Sequence, residues 1–415
     1  MSETVTFRHA TYLDVEAGQW RTADIVVEEG RITRLDAPGS ETGGAAHDLS
    51  GCRVLPGLID CHVHVYASRA DLGALAHDAP SYAALHAARL MGDMLDRGFT
   101  TVRDVAGGDF GLADAQTEGL LRGPRLFFGG KALSQTGGHG DFRDRGQRAM
   151  PDPMCCAALA VIADGPDEVR RAAREQLRTG AHHIKIMAGG GVASPTDRID
   201  SLQYSEAEMA AAVEEAADAD RYVAAHAYTP GAITRAIGAG VRSIEHANLM
   251  DEDSAQAVLD AGAFVTMNLV TYWALKEFGA SMGLPAASVA KVERVLDAGR
   301  DALRLADEAG LDLCFGTDLL GDMQQHQSRE FEIRARWQEP IDVIRAATST
   351  AARLLQREGE LGVIAEGAHA DLLVLDGDPL EDISLLAEPH PELVVQAGRV
   401  VAGRGAELRS SSEVR

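Results

Sequence analysis

Leu58-Ile59-Asp60-Cys61-His62-Val63-His64 is the stretch on which the reading of this chain turns. It is apolar enough for a buried strand, yet it ends in two histidines one residue apart. Side chains alternate faces along a strand, so His62 and His64 point the same way, with Cα atoms roughly 6.5 Å apart. That spacing lets two imidazoles converge on one metal ion. Alone, a His-x-His pair is a weak signal, and its meaning depends on what the other strands carry.

Eight apolar runs read as strands, at 57–63, 100–105, 125–130, 183–187, 222–226, 243–246, 263–268 and 312–317. Helical stretches separate them. Ser205-Glu206-Ala207-Glu208 is a capping box ahead of an Ala-rich run, 167–179 is periodic and stops at Gly180, and Pro340 opens an amphipathic stretch over 341–355. Alternation sustained over about 300 residues predicts parallel βα units, and eight of them close a (β/α)8 TIM barrel. An open doubly wound sheet would want a Gly-rich dinucleotide turn near its first strand, and none is present. The two ends of the chain differ from the middle. Residues 24–28 and 31–35 form a hairpin across Glu29-Gly30, and 393–396 and 399–401 another across Ala397-Gly398, with a strand at 370–375. The expected organisation is therefore a small β-sandwich built from 1–56 and 359–415, and a barrel over 57–358.

The polar residues of the barrel strands fall into step with this plan. Lys185 sits in the apolar strand His183-Ile184-Lys185-Ile186-Met187, where a lysine is costly unless paired or modified. His226 ends the fifth strand, His246 the sixth and Asp318 follows the eighth. His64 to Lys185 is 121 residues, or three units of about 40, and Lys185 to His226 is 41, or one unit. Each residue thus lies at the C-terminal end of its strand, the face on which barrel enzymes keep their active sites.

Composition narrows the function classes. The chain has 415 residues, enough for one large barrel and a smaller companion. Its net charge of −24 repels phosphate backbones, so no nucleic-acid partner is expected. The five cysteines, Cys52, Cys61, Cys155, Cys156 and Cys314, are odd in number and irregular in spacing. They predict free thiols in a reducing compartment, and Cys155-Cys156 reads as a pair of ordinary loop thiols. The opening MSETVTFRHATYLDV has no secretory pattern, and no apolar run approaches the ~18 residues of a membrane span. A cytoplasmic protein without a membrane partner is expected.

The segment Leu55-Pro56-Gly57-Leu58-Ile59-Asp60-Cys61-His62-Val63-His64, with Lys185, His226, His246 and Gly316-Thr317-Asp318, resembles the amidohydrolase superfamily over nearly the whole chain. Three stretches resemble its prolidase-like branch of Xaa-Arg/Lys dipeptidases and ochratoxinase-type amidases: Ile184 to Asp197, Gly137-Gly138-His139-Gly140-Asp141 and His226-Ala227-Tyr228-Thr229-Pro230. The resemblance implies two divalent metal ions, zinc by default. His62, His64 and Asp318 would hold the more buried ion, His226 and His246 the second, and Lys185, N6-carboxylated by CO2, would bridge them. It further implies Asp318 as the catalytic proton carrier, and His139 and Tyr228 as contacts to the α-carboxylate of a dipeptide or N-acyl amino acid, ochratoxin A among them. Homo-oligomers, octamers included, are common in that branch.

Departures and plainer readings stand beside these. The branch leads one to expect a serine after Lys185, where this chain has Gly189-Gly190-Gly191. That run lacks the ending of a phosphate loop and reads as a mobile substrate loop. Taken alone, Lys185 reads as a snorkelling lysine, and Tyr228 as a packing residue. His182 and His183 read as structural, one exposed and one satisfied. Asp104 reads as an ion pair or supporting group, His326 as a surface residue, and His77 and His86 as ordinary. The rival functions are a cyclic amide hydrolase of the imidazolonepropionase or hydantoinase kind, and a non-catalytic ligand-binding barrel.

Overall fold

The computed structural model describes residues 4–40, 43–143, 146–147, 158–194, 197–282 and 286–404. Cys155 and Cys156 lie outside the described residues. The first five strands are β1 (Val5–Asp14), β2 (Gln19–Glu28), β3 (Arg31–Asp36), β4 (Ala45–Asp48) and β5 (Arg53–Pro56). The middle of the chain carries β6 (Leu58–Val63), β7 (Phe99–Asp104), β8 (Arg125–Phe128), β9 (Ala132–Ser134), β10 (Ala160–Ile162), β11 (His183–Met187), β12 (Tyr222–Ala227), β13 (Ser243–His246), β14 (Phe264–Met267) and β15 (Asp312–Phe315). The last three are β16 (Leu372–Leu375), β17 (Leu393–Gln396) and β18 (Arg399–Ala402).

Both ends of the chain enter one sheet. β5 pairs in parallel with β1 and antiparallel with β16, so the order runs β18-β17-β16-β5-β1-β2-β3, with β4 beside β1. The two expected hairpins form because their turns supply consecutive left-handed residues, Glu29 (φ 51) with Gly30 (φ 77), and Ala397 (φ 47) with Gly398 (φ 76). This is the conformation that a two-residue loop needs to follow strand twist. Phe7, Ile25, Ile32, Leu372 and Val395 form its core. Hydrogen bonding runs continuously through these eight strands. The joint is β1, long enough to pair with β2 on one side and successively with β4 and β5 on the other.

The middle strands form two parallel sheets, β6-β7-β8 and β10-β9-β11-β12-β13-β14-β15. Backbone hydrogen bonds tie residues beside one sheet to the other: the Asp318 amide donates to the His62 carbonyl at 2.8 Å, and the His182 amide to the Phe128 carbonyl at 2.8 Å. The helices are α1 (Pro80–Asp96), α2 (Phe110–Thr117), α3 (Pro166–Arg178), α4 (Glu206–Asp218), α5 (Pro230–Gly238), α6 (Glu252–Asp260), α7 (Leu269–Phe278), α8 (Ala286–Glu308) and α9 (Arg329–Arg334). α4 starts on the reciprocal Ser205/Glu208 cap, and its buried Ala211, Ala212 and Ala216 pack in one cluster with Ile184 and Val223 of the sheet. Such small side chains bring a helix close to the strands it covers. Among the described residues no helix is long and apolar enough to cross a membrane.

Several boundaries differ from expectation. The third strand stops at Phe128, because Gly129 lies against His183 (a Cβ there would be 2.7 Å from Nε2) and Gly130 turns with φ 70. The short strands β9 and β10 then intervene, unforeseen. The stretch 341–355 is two helices, Pro340–Ala346 and Ser349–Leu354, interrupted at Thr348, whose hydroxyl bonds back to the Ile344 carbonyl at 2.6 Å.

Candidate metal centre and substrate pocket

β6 delivers His62 and His64 together, with ring centroids 5.4 Å apart. Asp318 reaches them from beyond β15, its Oδ1 lying 3.4 Å from His62 Nε2 and 3.1 Å from His64 Nε2. His246 brings its Nδ1 to 3.9 Å from Asp318 Oδ2. Donor atoms of His62, His246 and Asp318 all fall within 4.8 Å of one another. Two of these residues adopt the left-handed backbone that side chains rarely take, His246 with φ 78 and Asp318 with φ 52. Such strain concentrates at sites the surrounding fold over-determines.

The other two predicted ligands sit beside this group. Lys185 rises from β11 fully enclosed, and its Nζ has no hydrogen-bond partner among the described residues. Burial lowers its pKa to about 8, the nearby Glu245 opposing only part of that effect. A buried amine without a partner, whose neutral form burial favours, is a poor structural element and a good carboxylation target, since CO2 reacts with the free amine. His226 packs its ring 4.4 Å from His246 and 4.2 Å from His139, while its Nε2 donates to the Gly190 carbonyl at 3.1 Å. It stands within the cluster of rings but outside the tight group of three donors. Burial holds both His226 and His246 well below the ordinary histidine pKa, leaving them neutral donors. Burial pushes the Asp318 carboxyl up, but His62 and His64 outweigh it and hold the group well below its usual range. The donor set is thus nitrogen and carboxylate oxygen in ligand-ready forms, which fits divalent ions.

Beneath the site lies a polar support that sequence reading missed. His62 Nδ1 donates to Glu245 Oε2 at 2.7 Å, fixing the ring so that Nε2 faces Asp318. Glu245 in turn accepts from Arg103 Nη2 at 2.8 and 2.9 Å and from Ser243 Oγ at 2.6 Å. Arg103 and Glu245 are both fully buried. The signal was available: Arg103 and Glu245 share the inward phase of their strands. His64 Nδ1 donates to the Ala106 carbonyl at 2.9 Å. Asp60 ties the first strand to the eighth, accepting from the His62 amide and from Thr317 Oγ1. Asp104 is held by the Val65 and Gly108 amides, the supporting role expected of it. His182 is half-buried and its Nδ1 accepts from the Phe128 amide, while His183 is fully buried with neither ring nitrogen paired. The expectation of one exposed and one satisfied ring is corrected accordingly, because Gly129 lets β8 close directly over His183.

Above the donors opens a pocket lined by the predicted metal and substrate residues and by Leu72, Phe142, Leu159, Met187, Val192, Leu275 and Leu320. Among the described lining residues Asp318 is the only carboxylate. His139 and Tyr228 both line it. Tyr272, on α7, was not foreseen. Its hydroxyl lies 2.8 Å from that of Tyr228 and 3.1 Å from His246 Nδ1, linking the second histidine group to the pocket wall. The glycine run is explained by contact: a Cβ on Gly191 would be 2.1 Å from His139 Cε1, and one on Gly190 1.8 Å from the Arg198 carbonyl oxygen. No serine fits at either position.

Parallel strands with histidine, lysine and aspartate gathered at their ends suit a hydrolase of amide bonds, and this chain belongs to the amidohydrolase family, whose model matches residues 53–401. That family is generally metal-dependent. Within it the chain falls in the prolidase-like branch. It is 35% identical over 370 residues to an ochratoxinase of Aspergillus niger, covering 85% of this chain and 76% of the relative. A crystal structure of a prolidase complexed with N-methylphosphonate-L-proline superposes with a TM-score of 0.94 at 48% identity, over 96% of this chain and 99% of that one. A Xaa-Pro dipeptidase with bound methionine superposes with a TM-score of 0.86 at 29% identity, over 96% of this chain and 99% of that one.

Proposed function

We propose that this protein hydrolyses the amide bond to a C-terminal apolar amino acid, proline included, in dipeptides or N-acyl amino acids. The observation that carries this is one coincidence. Three metal donors within 4.8 Å and an unpartnered buried lysine amine lie at the floor of an apolar pocket. In this reading the two parallel sheets close as one barrel over 57–358, and 1–56 and 359–415 make the accompanying β unit. His62, His64 and Asp318 would hold one divalent ion and His226 and His246 the other, with Lys185, once carboxylated, adding an anionic oxygen ligand. Zinc suits this donor set.

When bound, the ions supply an acidified water and polarise the scissile carbonyl. Asp318 takes the proton of the attacking water and delivers it to the departing amine. It is suited to both tasks because the histidines around it keep it ionised in the resting state. Glu245 keeps His62 in the tautomer that offers Nε2. His139 and Tyr228 receive the substrate's α-carboxylate and so hold the scissile bond over Asp318. The apolar wall receives the side chain of the C-terminal residue. Among the described lining residues Asp318 is the only carboxylate, which supports apolar residues over arginine or lysine.

The test is a library of N-acyl amino acids and dipeptides, each as free acid and as carboxamide, with N-acyl-proline, N-acyl-phenylalanine, ochratoxin A and N-acyl-arginine included. Apolar free acids should be cleaved at least about tenfold faster than their carboxamides, a gap that Tyr228→Phe narrows. Equal rates on acid and carboxamide would turn the reading toward cyclic amides, and fewer than one divalent ion per chain after metal-replete purification toward a non-catalytic barrel.

A further inference from the structure

The glycine loop after β11 is pinned from outside the site. Lys291, on α8, sends its Nζ to the carbonyl oxygens of Gly191 at 3.0 Å, Ser194 at 3.1 Å and Asp197 at 2.8 Å, and lies 3.4 Å from Asp197 Oδ1. An ammonium has three protons to donate, and three carbonyls take them. The side chain is only 17% exposed and that of Asp197 only 2%, so the pair neutralises itself out of water. Asp197 then organises the other side of the loop. Its carboxylate accepts from the Gly191 amide at 3.0 Å, from Gln203 Nε2 at 3.0 Å and from the Ser194 hydroxyl. Ser194 Oγ accepts from His139 Nδ1 at 2.9 Å, and Asp197 Oδ2 lies 3.6 Å from the same nitrogen. With Nδ1 engaged, Nε2 is the nitrogen left for a ligand.

We propose that Lys291 is a positioning residue that latches the glycine loop and, through Asp197 and Ser194, sets the aim of His139 and hence the affinity for the carboxylate end of the substrate. The affinity part rests on the function proposed above; the latch itself does not. Three observations favour this role over simple surface packing. All four acceptors belong to a single loop. The loop's Gly191 lies flat on the His139 ring, too close for any Cβ. And the same loop's Gly190 carbonyl accepts from His226. A displacement of the loop therefore moves the pocket wall without disturbing His62, His64 or Asp318, which come from β6 and from beyond β15.

Lys291→Met keeps the apolar stem and removes the charge and its donors. It should raise KM for a free N-acyl amino acid roughly tenfold, with kcat and metal content within about twofold of wild type. The rise should vanish on the matching carboxamide, and hydrogen exchange at the Gly190 and Gly191 amides should accelerate. Ser194→Ala removes the tie to His139 and the hydroxyl's bond to Asp197 but leaves every Lys291 bond in place, and should raise KM with a smaller acceleration of that exchange than Lys291→Met gives. Unchanged exchange in Lys291→Met, or an unchanged KM, overturns the proposal, as does a parallel fall of kcat and metal content. Should Lys291→Met fold poorly, an unaltered KM in Ser194→Ala overturns it. A wild type that cleaves acid and carboxamide alike counts against the carboxylate reading of His139, and the exchange measurement then decides the latch by itself.

Discussion

At the scale of single residues, the candidate centre depends on charges that have no water to fall back on. Glu245 is shared between His62 and Arg103, all three buried. Glu245→Gln keeps the shape but removes the anion. His62 loses the acceptor that fixes its tautomer, and Arg103 is left without a counter-charge. Metal affinity should fall about 10–100-fold, measured by competition with a chelator, and stability should drop by about 3–5 kcal/mol in denaturant unfolding. A metal affinity equal to wild type would show that the pair supports the fold alone. Lys185 gives a pH signature. Its amine, depressed by burial from 10.5 to about 8, must be neutral to take up CO2. Above pH 8 the free amine dominates; below it the reactive fraction falls about tenfold per unit. Reconstitution of metal-free enzyme with zinc at a fixed concentration of dissolved CO2 should therefore plateau above about pH 8 and slow with that slope as pH falls. A flat profile from pH 6 to 9 would argue against carboxylation of this lysine.

At the scale of elements, the loop after β11 is built around what its glycines omit. Gly191→Ala puts a methyl 2.1 Å from His139 Cε1, so the ring or the loop must move. KM should rise about tenfold or more with kcat changed far less, read from steady-state kinetics on one free-acid substrate. The same loop marks how far sequence reading reaches. The strand ends were legible because each carries a residue that is costly in an apolar strand unless it has work to do. His62, Lys185, His226 and His246 announce themselves by type and phase. The helix starts at Ser205 and the turns at Glu29-Gly30 and Ala397-Gly398 were legible because capping and left-handed turns are local chemistry. β9 and β10, three residues each, are too short to show a period. Tyr272 lies on a helix after its strand, where only the tertiary path of the chain decides what it meets. Arg103 and Glu245 could be seen one at a time, but not that they face each other across the interior. The closeness of the glycine run to His139 is likewise a fact of packing, which no one-dimensional pattern carries.

At the scale of the whole molecule, the terminal sheet and the parallel sheets share a hydrophobic cluster in which Leu55, Leu373 and Val394 pack with Leu58, Met94 and Phe99. Asp371 is one of the polar ties beside it. Its Oδ2 accepts from Arg125 Nη1 at 2.8 Å, its Oδ1 from the Ala397 amide at 2.8 Å, and its carbonyl from the Gly57 amide at 2.8 Å. Asp371→Ala removes both side-chain bonds and leaves the Ala397 amide unpaired. A loss of about 1.5–3 kcal/mol is expected, seen as a lower thermal midpoint, with kcat unchanged because β8 holds no predicted ligand. The pairing of β5 with β16 has a further consequence for how the chain comes into being. Leu55 must wait for Leu373, with about 300 residues of intervening polypeptide, before its strand gains that neighbour. On the ribosome, β5 therefore emerges early and stays open to wrong partners until nearly the whole chain has been made. Folding in the cell should be slow, late and sensitive to chaperone supply, with the early-made hairpin of β2 and β3 the part best able to form by itself.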